Sequence, residues 1–506
     1  MLTVVNACAL FGLEGALVQV ELDIAFGVPC FHVVGLPDTA VSEARDRVRP
    51  AVKNSGFDFP GYRIIANLAP ADMRKEGPGY DLAMALGIVG SAGHMGPPPR
   101  DTAFVGELSL DGQLRHVDGV LPMVGVARAN GMRSVVVPEV DAEEAALVDG
   151  IEVLPARTLA QVVAHLRGDC QIAPRPPATI RLADMPAEHA VDMADIRGQE
   201  YAKRATEVAA AGGHNLLFNG PPGSGKTLLA RAMPGILPPL STDEALETAR
   251  IYSVAGLLPS GSPLLSRRPF RAPHHTIPNA GLVGGGRIPK PGEVSLSHRG
   301  ALFLDELPEF SGVALEALRQ PLEDGSVTIS RVSGSVTYPA NFMLVGAMHP
   351  CPCGNHGNPH KACTCPPQLV RKYQRRISGP LLDRMEIFVE VAPVAYDKLM
   401  GLPTGEPSST VRQRVLAARQ RQAARFRGTG LVTNADMGPR DVQRFCALDA
   451  PATAMAKQAM ERFHLSARAF HRTLKQARTI ADLEGEERIG VGHLAEAVQY
   501  RLRSPD

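Results

Sequence analysis

The apolar and polar positions divide the chain into three regions of different character. Over about residues 1–170, short apolar runs alternate with longer amphipathic ones. Stretches 17–24, 62–68 and 134–137 predict strands, and 42–53, 80–89 and 158–166 predict helices. QIAPRPPATIRLADMPAEHA, residues 171–190, is Pro-rich, lacks a sustained period and predicts a linker. From 191 to 395, helical segments alternate with HNLLFNG (214–220), ALFLDE (301–306) and NFMLVGAM (341–348). Each of these short apolar runs ends in polar residues, as strands of a parallel sheet do when a site lies at their C-terminal ends. A second Gly/Pro-rich break, GLPTGEPSS at 401–409, falls in a predicted linker over 396–410, and 411–506 is predicted helical. The expected class is α/β.

Composition narrows this picture. At roughly 150 residues per domain, 506 residues suggest about three domains. Lys plus Arg is 53 against 52 for Asp plus Glu, a net charge of +1. That balance argues against coating nucleic acid by charge alone and leaves room for a local basic channel. Hydrophobic residues at 44% and charged residues at 21% fit a folded chain, and 49 glycines with 43 prolines imply many turns. The N-terminus has no basic region, and Glu14 and Glu21 interrupt its apolar stretches, which argues against a secretory signal. No apolar run reaches 18 residues, so no spanning helix is expected and a soluble, cytoplasmic protein is. Four of the eight cysteines fall within 15 residues, favouring a local metal or redox site over a disulfide framework.

The most informative motif is GPPGSGKT, comprising Gly220, Pro221, Pro222, Gly223, Ser224, Gly225, Lys226 and Thr227, with Leu228 next. It follows an apolar run and opens a helical one. Glycines let backbone N–H groups wrap phosphate oxygens. Lys226 can reach the β- and γ-phosphates, and the Thr227 hydroxyl can ligate Mg²⁺. About eighty residues on, Asp305 and Glu306 end the ALFLDE run. Alone, such a pair reads as a solvated strand end. Beside a phosphate loop, Asp305 suits Mg²⁺ and Glu306 suits orienting and polarising an attacking water.

GPPGSGKT, FRAPHHT (270–276), PGEVSLSHRGALFLDELPEF (291–310), LEALRQPLEDG (315–325), CPCG (351–354), ISGPLLDRMEI (377–387) and SARAFHRTLKQARTIADLEG (466–485) together resemble the YifB/ComM family of magnesium-chelatase-like AAA+ ATPases. The resemblance spans nearly the whole chain, with the motifs in order. It implies an AAA+ P-loop NTPase core over 191–395 and a C-terminal helical lid over 411–506. It also implies a homo-hexameric ring with ATP between neighbours. Arg384 matches the arginine finger, and Arg468 the sensor-2 arginine that reports nucleotide state from the lid. His349 stands at the sensor-1 position, where the family commonly has Asn. An imidazole can still bond water or phosphate, one tautomer per role. Residues 271–291, with His274 and His275, match the helix-2 insertion of this branch. The hairpin-like run 327–339 precedes the sensor-1 strand, and its Arg331 suits either a pore contact or a solvated turn.

CPCGNHGNPHKACTC spaces Cys351, Cys353, Cys363 and Cys365 as C-x-C-x9-C-x-C. Four thiolates on a short loop could close a structural Zn²⁺ site, and redox-active or unligated thiols are the alternatives. Residues 61–88 and 104–123 resemble the Lon-protease-like, ribosomal-S5-type α+β fold, assigned to 1–170. A Ser–Lys dyad is missing: Gly79, Tyr80 and Asp81 stand where the nucleophile would lie, and GQLRHVDGVL has no Lys. A non-proteolytic structural or DNA-binding role is expected there.

Arg412, Arg414, Arg419, Arg421, Arg425 and Arg427 fall in an acidless run over 411–427, and Arg371, Lys372, Arg375 and Arg376 in RKYQRR. Both could neutralise DNA phosphates; both also suit a solvated helix or subunit interface. The leading expectation is a hexameric ATP-driven motor acting on single-stranded or branched DNA. It would be a helicase or branch-migration enzyme promoting DNA integration in transformation or recombination. The alternatives are a chelatase-type ATPase remodelling a protein partner for metal insertion, a Lon-like protease, and a nucleotide-dependent scaffold.

Overall fold

The computed structural model describes residues 2–178, 191–258, 264–286, 289–331, 334–359, 361–393, 405–463 and 465–501. Most of the expected 171–190 and 396–410 linkers lies outside the described residues, as does the side chain of Arg331.

The N-terminal region folds on a seven-stranded sheet. Across the sheet the strands are Cys30–Val34, Arg63–Ala69, Glu14–Ala25, Leu2–Phe11, Thr102–Phe104, Ser134–Pro138 and Glu152–Ala156. Leu2–Phe11 and Glu14–Ala25 form a tight antiparallel hairpin, from Leu2 opposite Asp23 to Phe11 opposite Glu14. Val18, Val20 and Leu22 point into the core, while Gln19 and Asp23 face solvent, the period-two pattern of a half-buried strand. The first strand was not anticipated. Its core-facing residues include the contiguous Val5, Asn6, Ala7, Cys8 and Ala9, which carry no alternation. Helix Asp81–Ser91 is buried along nearly its whole length. Gly87 permits its close approach to the sheet: a Cβ there would stand 2.2 Å from Leu22 Cδ1.

The start of the expected 171–190 linker is not loose. Arg175 N donates to Val153 O at 2.8 Å and Ala178 N to Ala146 O at 3.0 Å, so residues 171–178 run back along the first region.

The second sheet has five strands, all parallel, in the order Phe270–Arg271, Ala301–Leu304, Met343–Met348, Leu216–Asn219, Ile387–Glu390. Leu216–Asn219 comes first in the chain yet lies inside the sheet, between Met343–Met348 and Ile387–Glu390. That arrangement creates a crevice at its C-terminal end, where chain crossovers leave in different directions. Ala301–Leu304 and Met343–Met348, inside the sheet, are apolar and buried throughout. Ser326–Arg331 and Gly334–Pro339 form the expected hairpin, with Val327 opposite Tyr338.

The C-terminal region is helical, as expected: Ser408–Arg425, Pro439–Phe445, Ala450–Arg462, Ala467–Glu484 and Val491–Gln499. Val415, Ala418, Ala477, Ile480 and Leu494 share one apolar core with Ala205, Leu216 and Val345. The N-terminal region meets helix Thr242–Ala255 through Gly119 N donating to Ser253 O at 3.1 Å. Ser253 Oγ and Leu121 N also donate to the buried Glu144 carboxylate.

Among the described residues, no helix is long and apolar enough to cross a membrane.

Candidate nucleotide site and its surroundings

Strand Leu216–Asn219 leads directly into the GPPGSGKT loop, and Lys226 begins helix Lys226–Ile236 behind Gly225. Gly223 and Gly225 have φ of +76° and +93°, values an L side chain rarely adopts, so the turn requires glycine there. Lys226 is buried, and its ammonium donates to Gly220 O at 2.8 Å and Pro221 O at 2.9 Å. Burial pulls its pKa down to about 8, against the upward pull of Asp305 and Glu306. An anionic ligand would relieve that cost. Ser224 Oγ is buried without a hydrogen-bond partner. A loop with an underused cation and an orphaned hydroxyl at a helix N-terminus fits a phosphate group.

The second half of the site is brought up by the parallel sheet. Thr227 Oγ1 donates to Asp305 Oδ2 at 2.8 Å, joining the phosphate loop to the end of Ala301–Leu304. A hydroxyl and a carboxylate at this spacing are hard oxygen donors of the kind Mg²⁺ takes. Glu306 is exposed beside them, held in a left-handed conformation at φ 52°. Such a backbone in a non-glycine residue carries strain and recurs at functional sites. His275 Nδ1 lies 3.5 Å from Glu306 Oε2, and the rings of His274 and His275 lie 4.1 Å apart, tilted by 34°.

His349 leaves the end of Met343–Met348 and contacts the phosphate loop. Its Nδ1 lies 3.0 Å from Gly220 O and 3.4 Å from Lys226 Nζ. The Gly220 carbonyl accepts only, so the shorter contact calls for a proton on Nδ1; the longer one to the Lys226 ammonium, itself a donor, is then not a hydrogen bond. Leu228 is half exposed on the first helical turn.

Arg384 and Arg468 lie together. Both face Glu323 on helix Arg319–Asp324: Arg384 in a close ion pair, Arg468 at 3.9 Å. Arg384 also donates to Pro380 O at 3.0 Å, and its Nε is buried without a partner. Burial first, then nearby Arg468, Arg319 and Arg472, lower the Arg384 pKa. Glu323 answers Arg384 and Arg468, Glu316 answers Arg319, and Asp383 answers Arg472. Sequence reasoning missed Glu323, although it lies within the quoted LEALRQPLEDG motif. It also missed the approach of His275 to Glu306.

The four cysteines converge, with their Sγ atoms all within 4.8 Å of one another. Backbone N–H groups of Asn355 and Thr364 pull the Cys353 thiol down to about 5.

Two sequence expectations about charge part company here. Four of the six arginines in 411–427 bond to other parts of the protein. Arg414 pairs with Glu207 and Glu406, and Arg425 with Asp482. Arg419 donates to Ala210 O, and Arg421 to Asp482 O. These four arginines are structural, a correction to their reading as a DNA surface. Arg371, Lys372 and Arg375 are exposed and, with Gln368 and Arg376, line one shallow recess. Arg376 is partly engaged by Glu309 at 2.7 Å.

At the missing-dyad position, Tyr80 is buried and Asp81 pairs with Arg47 at 2.8 Å. Lys75 is buried with its ammonium donating to Pro70 O and Met73 O.

A phosphate loop, an acidic strand end and a five-stranded parallel sheet define a P-loop protein of the AAA+ type. Three family models match along the chain: magnesium chelatase, subunit ChlI, over residues 192–399; subunit ChlI of Mg-chelatase over 20–141; and magnesium chelatase, subunit ChlI C-terminal, over 405–501. The chain is 43% identical to the competence protein ComM of Haemophilus influenzae, covering 99% of this chain and 97% of ComM. It is 42% identical to YifB of Escherichia coli, with the same coverage. A shorter similarity, 26% identity over about a third of each chain, is to Lon protease 2 of Bacillus subtilis. The chain belongs to the YifB/ComM family of magnesium-chelatase-like AAA+ proteins.

Proposed function

We propose that this protein is an ATP-hydrolysing motor that assembles into a homo-hexameric ring and moves along single-stranded or branched DNA, as a helicase or branch-migration enzyme in transformation or recombination. The observation that carries the ATPase reading is the Thr227–Asp305 hydrogen bond beside the buried Lys226. It unites the two halves of a nucleotide site from strands some eighty residues apart.

In this reading the backbone of Gly220–Thr227 cradles the phosphates and Lys226 neutralises the β- and γ-phosphates. Thr227 and Asp305 would hold Mg²⁺, which offsets phosphate charge when bound. Glu306 accepts the proton of the attacking water, and His275 beside it influences that carboxylate. His349 holds Gly220 in place and offers Nε2 to a water. Arg384 acts on a neighbouring subunit's nucleotide. Arg468 shares Glu323 with Arg384, so it acts at that same face. Two guanidinium groups sharing one carboxylate suit the γ-phosphate arriving from a neighbour.

The module layout follows the family: a Lon-like, ribosomal-S5-type module over 1–170 without a protease dyad, an AAA+ core over 191–395, and a lid over 411–506. Structural Zn²⁺ on the four cysteines completes the cofactor set. The working compartment is the cytoplasm.

The DNA reading rests on the family relationship to ComM and on the exposed Arg371, Lys372 and Arg375. The deciding experiment measures ATPase activity with and without branched and single-stranded DNA. DNA should stimulate the wild type, and Lys226→Ala should abolish both hydrolysis and unwinding. A Lys226→Ala protein that still unwound branched DNA with ATP would defeat the motor. Hydrolysis indifferent to DNA but stimulated by a protein partner would favour the chelatase-type alternative.

A further inference from the structure

The cysteine loop touches the phosphate loop, and that contact gives the cluster a consequence beyond local folding. Sγ of Cys351 lies 3.4 Å from Cys353 and 3.6 Å from Cys363, and Cys353 lies 3.6 Å from Cys363. A disulfide needs about 2.05 Å. Four sulfurs around Zn²⁺, each about 2.3 Å from the ion, stand about 3.8 Å apart. The spacing therefore fits a metal cage, and all four thiols are free. Soft thiolate donors select Zn²⁺ over the Mg²⁺ that accompanies ATP. Cys351 is buried and accepts the His356 N–H at 3.3 Å, a supporting bond typical of thiolate sites.

Gly354 sits inside this cage's first turn, at φ +77°. A Cβ on it would stand 2.4 Å from Pro222 Cδ and 2.7 Å from Pro222 Cγ. The turn carrying Cys351 and Cys353 thus lies flat on the phosphate loop. Two residues before Cys351, His349 holds Gly220 O at 3.0 Å. The cysteine loop and its stem therefore grip the phosphate loop at Gly220 and at Pro222.

We propose that Zn²⁺ held by Cys351, Cys353, Cys363 and Cys365 makes this segment a rigid brace for the phosphate loop, so that metal occupancy sets the affinity for ATP. The inference rests on the reading of Gly220–Thr227 as the ATP site. With the ion in place, residues 351–365 are cross-linked and the loop is held ready for phosphate. Without it, ordering of the loop is charged to ATP binding, and affinity falls.

The test uses the full chain purified without added zinc. Metal analysis should find about one zinc per chain. Fluorescent-ATP titration of the chelator-treated protein should show a dissociation constant raised by about fivefold or more, with circular dichroism unchanged. Zn²⁺ should restore binding and Mg²⁺ should not. Gly354→Ala should keep its zinc yet bind ATP more weakly, because its methyl group meets Pro222. Cys365→Ser should lose zinc and affinity together. Absence of zinc, or equal affinity in zinc-loaded, zinc-free and Gly354→Ala proteins, would overturn the brace. If the zinc-loaded wild type bound no ATP at all, the ATP reading itself would fall and the proposal with it.

Discussion

His349 illustrates how a single residue's role depends on its partners. The resemblance to the family motif leads to an expectation of Asn here, which offers both a donor and an acceptor. Here the Nδ1–H is committed to Gly220 O, so only Nε2 remains for a water or phosphate. Asn would regain a donor at little steric cost. His349→Asn should therefore retain or raise the ATPase rate, read as phosphate release at saturating ATP. A complete loss would reveal a role specific to the imidazole. Glu323 was invisible as a functional residue for a different reason. Its motif is legible, but its importance lies in meeting Arg384 and Arg468, which follow 61 and 145 residues later.

At the scale of elements, the approach to strand Ala301–Leu304 contains a pH-sensitive joint. His298 is buried, accepts the Asn341 N–H on Nδ1 at 3.1 Å, and donates from Nε2 to Glu247 at 3.2 Å. Burial, then nearby Arg299, depress its pKa from 6.5 to about 4. A depressed histidine contributes stability that is complete above its unfolded pKa and is lost as pH falls from 6.5 towards 4. Between pH 7 and pH 5 this residue should cost about 2 kcal/mol. Urea unfolding at the two pH values checks it, with His298→Gln expected to remove that part of the loss. An equal loss in the variant would assign the acid sensitivity elsewhere. The elements themselves were mostly legible where the period was clean, as in Glu14–Ala25 and in the apolar strands of the second sheet. Leu2–Phe11 was not, because a strand with helices and neighbours on every side keeps no polar face to mark its period.

At the scale of the whole molecule, the near-neutral total charge conceals where positive charge is free. The arginines of 411–427 resemble a basic stripe in sequence, but Glu207 and Glu406 pair with Arg414, and Asp482 pairs with Arg425. Arg371, Lys372 and Arg375, on and just after helix Pro367–Gln374, stand exposed together. Replacing these three with Ala should weaken DNA binding and flatten the plot of log affinity against log salt by roughly 2–3. Fluorescence anisotropy at several salt concentrations reads both quantities. Arg421→Ala, which removes a bond to Asp482 O, should lower stability and leave the salt slope alone. A reversed outcome would move the DNA surface to the C-terminal helices.

The sequence by itself determined the phosphate loop, the acidic strand end, the cysteine spacing and the family. All of these are written in contiguous residues whose backbone needs, such as glycine at positive φ, are local. Only the tertiary structure decided which charges remain available, because ion pairing depends on distance in space. It also decided that Glu323 joins two arginines, and that Gly354 rests on Pro222. Those contacts join residues 61, 145 and 132 positions apart, and no period or spacing along the chain records them.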